Sequence, residues 1–251
     1  GDIYQINIAQ KFNVPWAGEP FTLFKSVTEE SPAPFSTFLD FGGFQIISNS
    51  PERLLKIEGN TALTEPIKGT RKRGETEAED LALIKELKES TKERAEHVMI
   101  VDLERNDLGM ISLTGSVQVT DFERVLTLPG LHHMVSSVTG QVKEGLGSLK
   151  CLERIFPGGS ITGAPKFRAM EIIDELEPER RGLYTGALGW MDFSGDLDMS
   201  MAIRTAIYKD ETIHLSVGSG IVTDSIPKEE YDETILKASA FFKAINKESN
   251  V

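Results

Sequence analysis

Three strand patterns, at residues 183–193, 197–208 and 212–217, follow one another with only Ser194-Gly195 and Lys209-Asp210 as turns. Connections that short join antiparallel neighbours, because a parallel crossover takes a dozen residues or more. This meander restricts the fold more than any other feature of the sequence. A second run of strands, at 35–40, 44–48, 54–58 and 62–65, is as closely spaced, with Gly42-Gly43 and Glu58-Gly59-Asn60 at its turns. Further strands are predicted at 3–10, 117–119 and 133–142, the last two joined by a loop containing Leu128-Pro129-Gly130. In the first of these, Tyr4, Ile6 and Ile8 face one way and Gln5 and Asn7 the other. Gln5 is a site residue only if its face is closed.

Helices are predicted at 20–27, 76–89, 91–108, 146–155, from Pro165 to the residue before Pro178, and at 229–246. Thr76 is the N-cap of the second, with Leu81, Ile84 and Leu87 as its apolar stripe. The third ends at Gly109. Its Glu93 and Glu96, three residues apart, project from one face, and the helix turns apolar immediately after them. The last helix buries Tyr231, Ile235, Ala238, Phe242 and Ile245, with Glu230, Glu233 and Lys237 on a separate stripe.

The chain has 251 residues, enough for one large domain or two small ones. Its net charge of −12 argues against a nucleic-acid partner, whose phosphates need a positive surface. Cys151 is the single cysteine, so no intrachain disulfide can form, and a reducing, cytoplasmic setting is expected. No stretch approaches the run of about 18 apolar residues that a membrane span needs. The sequence opens directly on a strand pattern, so an upstream segment is expected.

Chemistry concentrates in four places. In Pro66-Ile67-Lys68-Gly69-Thr70, Pro66 favours an extended backbone before it, Gly69 admits close approach, and Thr70 offers a hydroxyl. A lysine shielded from water there is the kind of amine that acts as a nucleophile or base. Glu52 leaves a strand junction 16 residues earlier. Around Gly158-Gly159-Ser160-Ile161-Thr162-Gly163, glycines and hydroxyls precede the helix that begins at Pro165, and backbone N–H groups beside a helix N-terminus suit a carboxylate-sized anion. Arg204, flanked on its strand face by Ala202 and Ala206, suits a bidentate grip on a carboxylate. His132 and His133 are adjacent, so they point to opposite faces and cannot share a metal. The two acidic helices offer only oxygen ligands. A solvated face accounts for each pair alone; together with the anion-binding features they point to a hydrated Mg²⁺.

The motifs Pro66-Ile67-Lys68-Gly69-Thr70-Arg71, Glu96-His97-Val98-Met99-Ile100-Val101-Asp102-Leu103, Arg105-Asn106-Asp107-Leu108-Gly109, Ser160-Ile161-Thr162-Gly163-Ala164-Pro165-Lys166, Ile203-Arg204-Thr205 and Gly218-Ser219-Gly220-Ile221-Val222 resemble those of the chorismate-utilising enzymes. The resemblance covers nearly the whole chain. It implies an α+β fold of two packed antiparallel sheets with helices outside, and one catalytic domain over residues 1–251 that lacks the N-terminal region of full-length members. It implies Mg²⁺ held by Glu93, Glu96, Glu230 and Glu233. Arg204 and Tyr184 would hold the enolpyruvyl carboxylate, with the Gly218, Ser219 and Gly220 backbone and Lys237 nearby. Gly69, Thr70, His133, Gly159, Ser160, Thr162 and Gly163 would line the ring site. At the position of Gln5, isochorismate and salicylate synthases carry a water-activating lysine; an amide is a poor base. At position 68 anthranilate synthases typically have alanine and aminodeoxychorismate synthases lysine. Lys68 as nucleophile and Glu52 as general acid are what that likeness implies, with ammonia from a glutamine amidotransferase partner. Anthranilate synthase, and a non-catalytic chorismate- or partner-binding subunit, are the alternatives.

Overall fold

The middle strand of the meander is cut in two. In the computed structural model, which describes residues 1–128 and 130–249 (the side chains of Lys92 and Ser249 apart), the backbone breaks at residues 202–204. Arg204 there takes a φ of 48°. A left-handed residue ends an extended run, so residues 197–201 and 205–209 join different sheets. Arg204 therefore has no strand face to share with Ala202 and Ala206, contrary to the alternation expected. Pro129 of the loop at 128–130 lies outside the described residues.

In chain order the elements are β1 (Gln5–Pro15), α1 (Pro20–Glu30), β2 (Phe35–Asp40), β3 (Gln45–Ser50), β4 (Arg53–Glu58), β5 (Thr61–Glu65), β6 (Ile67–Lys72), α2 (Glu77–Glu89), α3 (Thr91–Ile111), β7 (Gln118–Thr127), β8 (Leu131–Gln141) and α4 (Ser148–Ile155). A 3₁₀ turn at Gly159–Ile161 leads to β9 (Gly163–Ala164), α5 (Lys166–Leu176), β10 (Ala187–Met191), β11 (Leu197–Met201), β12 (Thr205–Lys209), β13 (Thr212–Ile221) and α6 (Pro227–Ser249). They divide into two units: Gly1–Pro51, Ile161–Gly186 and Ala202–Val251 form the first, Glu52–Ser160 and Ala187–Met201 the second. The architecture is α+β, with antiparallel sheets, as expected.

Among the described residues the first unit holds a six-stranded sheet in the order β2-β3-β12-β13-β1-β9. Leu23 and Val27 of α1 and Ala238, Phe241 and Ile245 of α6 pack with Ile47, Ala206, Ile213 and Leu215 of the sheet. On α6, Ala238 and Ile245 are buried as expected, but Phe241 is buried where Phe242 was expected, Phe242 is only partly so, and Tyr231 is exposed. Ala169 and Ile173 of α5 pack on Ile6. On β1, Ile6, Gln5 and Asn7 are all buried, so the amide face is closed, whereas Tyr4 precedes the strand and is exposed.

The second unit holds a seven-stranded sheet in the order β10-β11-β4-β5-β8-β6, with β7 also paired to β8. Pro66, which has no N–H to give, separates β5 from β6, and both pair with β8. Thr76 caps α2, as expected, and forms a reciprocal capping box with Glu79. Leu87 is buried, but Leu81 is exposed rather than part of the stripe. α3 runs through Gly109 to Ile111 because Ile100, Val101, Leu108 and Ile111 bury one continuous stripe. Among the described residues no helix is long and apolar enough to cross a membrane.

Candidate functional site

In the second unit, Lys68 stands opposite Met134 and Thr70 opposite His133, which leaves Gly69 as the extra residue of a bulge. Gly69 has a φ of 80°, and a Cβ on it would stand 2.9 Å from Leu87 and 3.1 Å from Glu93 Oε2. Glycine is needed there for both backbone and space. Thr70 Oγ1 lies 2.9 Å from Nδ1 of the buried His133. Lys68 Nζ lies 3.7 Å from Glu96 Oε2, and Arg71 reaches Glu93 at 3.1 Å and Glu86 at 2.9 Å. Lys68, Gly69, Thr70, His133, Glu93 and Glu96 are thus gathered where α3 meets the β6 bulge. The repulsion expected between the two carboxylates is relieved by a cationic partner for each.

Glu52, the residue before β4, is 7% exposed and accepts a 2.9 Å hydrogen bond from the Ser160 hydroxyl. Arg53 pairs across from Glu65, so Glu52 lies beside the end of β5, from which Pro66 leads into β6 and Lys68. The Gly159 N–H, expected to be free for an anion, donates to the buried Asp107 carboxylate at 3.0 Å. Glu104, also buried, accepts from Thr64 at 3.0 Å. Sequence reasoning passed over Glu104 and Asp107 as functional positions, and Arg71 as the partner of Glu93. The usable signal was the α3 stripe: Ile100, Glu104, Asp107 and Ile111 recur at helical spacing, with two acids on an apolar face.

In the first unit, the Ser219 and Ser225 hydroxyls both donate to Glu230. Lys237 pairs with Glu233 at 2.6 Å and donates to the Gly218 carbonyl at 2.9 Å. A Cβ on Gly218 would stand 2.5 Å from Asn7 Oδ1 and 2.7 Å from Tyr184 Oη. Gly218, Ser219, Tyr184, Glu230, Glu233 and Lys237 are thereby brought together, and Gly220 pairs with Asn7 across β13 and β1. The Arg204 carbonyl accepts from the Asn49 N–H. The end of the glycine-rich loop joins β1: the Asn7 N–H donates to Thr162 O at 2.9 Å, and Gly163 stands opposite Ile6. A Cβ on Gly163 would meet Gln5 O at 2.2 Å, so that glycine is dictated by the strand. Pro165 is the N-cap of α5 rather than its first residue. Arg181, absent from the sequence reading, donates to Ile161 O at 2.8 Å and Asn7 O at 2.7 Å and is neutralised by Glu177.

Residues 1–243 match the family of chorismate binding enzymes. The chain belongs to that family. It is 46% identical over 245 residues to anthranilate synthase component 1 of Aquifex aeolicus (strain VF5), covering 98% of this chain and 50% of that protein. To aminodeoxychorismate synthase component 1 of Bacillus subtilis (strain 168) it is 45% identical, covering 98% and 52%. The crystal structure of anthranilate synthase component I from Streptococcus pneumoniae TIGR4 superimposes with a TM-score of 0.87 at 41% identity, covering 96% of this chain and 53% of that one. The chain spans about half the length of the curated relatives it matches.

Two groups in this chorismate-binding-family chain are held neutral by burial. His97, on α3 beside Glu96, is fully buried, with Nε2 2.6 Å from Ser136 Oγ. Burial lowers its pKa from 6.5 to about 4; the Lys68 charge adds to the effect and Glu123 opposes it. Burial likewise pushes the Tyr184 phenol well up, so its hydroxyl remains a donor. Among the described residues no three His, Cys, Asp or Glu side chains gather as a metal ligand set. The Glu93 and Glu96 pair is nonetheless the hard-oxygen kind of donor that suits a partly hydrated Mg²⁺ shared with a substrate carboxylate.

Proposed function

We propose that this chain aminates chorismate at C4, giving 4-amino-4-deoxychorismate with the enolpyruvyl group retained. Ammonia would come from a glutamine amidotransferase partner. The observation that carries this reading is Lys68 itself, on a glycine bulge with its amine 3.7 Å from Glu96 and the Thr70–His133 pair beside it. In the Pro-Ile-Lys-Gly-Thr pattern, lysine is the feature that resembles aminodeoxychorismate synthases.

Lys68, once it has passed its ammonium proton to water, attacks C2 of chorismate through the free amine. Protonated Glu52 gives its proton to the departing C4 hydroxyl, which leaves as water. The resulting secondary ammonium is displaced when ammonia adds at C4, and the surplus proton on the new amine returns to Glu52. Atoms and charge balance over the cycle, which returns Lys68 as the free amine and Glu52 protonated. Mg²⁺ on Glu93 and Glu96 would supply positive charge for a substrate carboxylate. Glu230 and Glu233 are the candidates the resemblance offers in the first unit, where Tyr184, Arg204 and the Gly218, Ser219 and Gly220 backbone are read as carboxylate-holding groups. Gln5 there is an amide and offers no base for activating water.

A second reading, amination at C2 with loss of pyruvate, is supported by the anthranilate synthase names of the Aquifex and Streptococcus relatives. Incubation with chorismate, Mg²⁺ and an ammonium salt, followed by chromatography, separates the two. Accumulation of 4-amino-4-deoxychorismate supports amination at C4; clean anthranilate overturns it.

A further inference from the structure

Asn7 is fixed through its backbone and idle through its side chain. Its N–H donates to Thr162 O, its carbonyl accepts from Arg181 at 2.7 Å, and it lies opposite Gly220 in the strand ladder. The residue is 8% exposed, yet among the described residues its buried Oδ1 has no hydrogen-bond partner. A buried amide with nothing to bond is a liability that an apolar side chain of the same size avoids. The fold therefore supplies no reason for an amide here.

The place it occupies supplies one. Asn7 Oδ1 and Tyr184 Oη lie 2.5 and 2.7 Å from the point where a Cβ on Gly218 would stand. Asn7 Oδ1 and Tyr184 Oη, with the Ile8 carbonyl oxygen 2.8 Å from the same point, thus converge on the Gly218 backbone, which leaves no room there for a Cβ and whose carbonyl is held by Lys237. Rotating the amide about its last bond exchanges Oδ1 for Nδ2, so the position can present N–H donors without moving the backbone. Tyr184, kept protonated, presents a second donor.

We propose that Asn7 is a substrate-binding residue, whose side-chain amide donates to a substrate carboxylate alongside the Tyr184 hydroxyl. The assignment rests on the reading of this chain as a chorismate enzyme and adds a contact to it. Because the group is neutral, it binds the anion without needing a counter-charge when the substrate leaves.

The test is calorimetric titration of the full chain with chorismate in the presence of Mg²⁺, for wild type, Asn7→Leu, Asn7→Ala and Asn7→Asp, together with thermal melts. Asn7→Leu should weaken binding about tenfold while leaving Tm unchanged or higher, because the unsatisfied amide is gone. Asn7→Ala should weaken binding similarly, and serves if the leucine variant does not fold. Asn7→Asp should weaken it about a hundredfold, through repulsion between two carboxylates. Wild-type affinity in Asn7→Leu or Asn7→Ala, or undiminished binding in Asn7→Asp, overturns the assignment. A lowered Tm with unchanged affinity does so too, by marking a structural role. Wild type that binds no chorismate overturns the functional reading and this contact with it, whereas binding that is indifferent to position 7 overturns the contact alone.

Discussion

The Lys68 amine and the Glu96 carboxylate stand 3.7 Å apart, with 22% and 26% of their side chains exposed. A nucleophilic Lys68 must give up that partner before it can bond to a ring carbon. Treated with chorismate without ammonia, the chain should carry an adduct on the peptide containing Lys68, detected by mass spectrometry. Lys68→Ala should carry none. A modified Lys68→Ala chain, or a wild-type rate in that variant, rules out the nucleophile role.

The same pair makes Lys68 a competitor for any cation that Glu96 would hold. Lys68→Met should therefore bind Mg²⁺ more tightly by about fivefold, the equivalent of ~1 kcal/mol for a partly exposed ion pair. Titration calorimetry with Mg²⁺ alone reads this without reference to turnover. Weaker binding in the variant would show that Glu96 is not the carboxylate concerned.

His97 sets a pH dependence of stability. Its pKa is about 4 in the fold and 6.5 as the ordinary value, so between those limits the unfolded chain binds a proton that the folded chain refuses. Stability should rise with pH across that window and gain nothing more from this residue above it. The contribution is at most about 3 kcal/mol. Urea unfolding at pH 5 and pH 7 should show a smaller difference in His97→Gln than in wild type; an equal difference assigns the slope to other groups.

Arg181 and Glu177 form a 2.6 Å pair with 14% and 6% of their side chains exposed. The Glu177 carboxylate also accepts from the Ala9 N–H. Arg181→Ala leaves that carboxylate buried without its counter-charge and two backbone carbonyls without their donor. The expected loss is about 3 kcal/mol. Combining it with Glu177→Gln should cost clearly less than the sum of the single changes, and additivity in denaturant unfolding would refute the coupling.

Two glycines with positive φ should respond differently to alanine. At Gly163 the new Cβ would meet Gln5 O at 2.2 Å and Ala169 at 2.9 Å, whereas Gly145 has nothing within 4 Å. Gly145→Ala should cost only the left-handed backbone strain, about 1 kcal/mol. Gly163→Ala should cost roughly 3 kcal/mol or more, by forcing β9 from β1. Similar melting points for the two variants would contradict the close approach.

Local chemistry was readable where it is decided locally. The N-cap at Thr76 is set by the residues beside it, and the strand at Phe35–Asp40 is bounded by its own turn. The break at residues 202–204 was not readable, because the sequence there alternates as a strand should and only tertiary pairing sends its halves to separate sheets. The burial of Phe241 in place of Phe242 has a similar origin: the two are equally apolar, and Phe242 packs edge-on against the Phe12 ring at the margin of the core. At the candidate site the lysine, the glycine beside it and the acidic pair could be named from the sequence. Asn7 and Arg181 could not, since their importance lies in what surrounds them rather than in a motif.

The pairing of Ile6 with Ile221 has a bearing on how the protein is made. The opening strand finds its long partner only after more than two hundred further residues have left the ribosome. Until then it is an apolar edge open to other chains, and contacts so distant in sequence form slowly. A chain cut before β13 should therefore yield aggregates rather than a smaller folded protein.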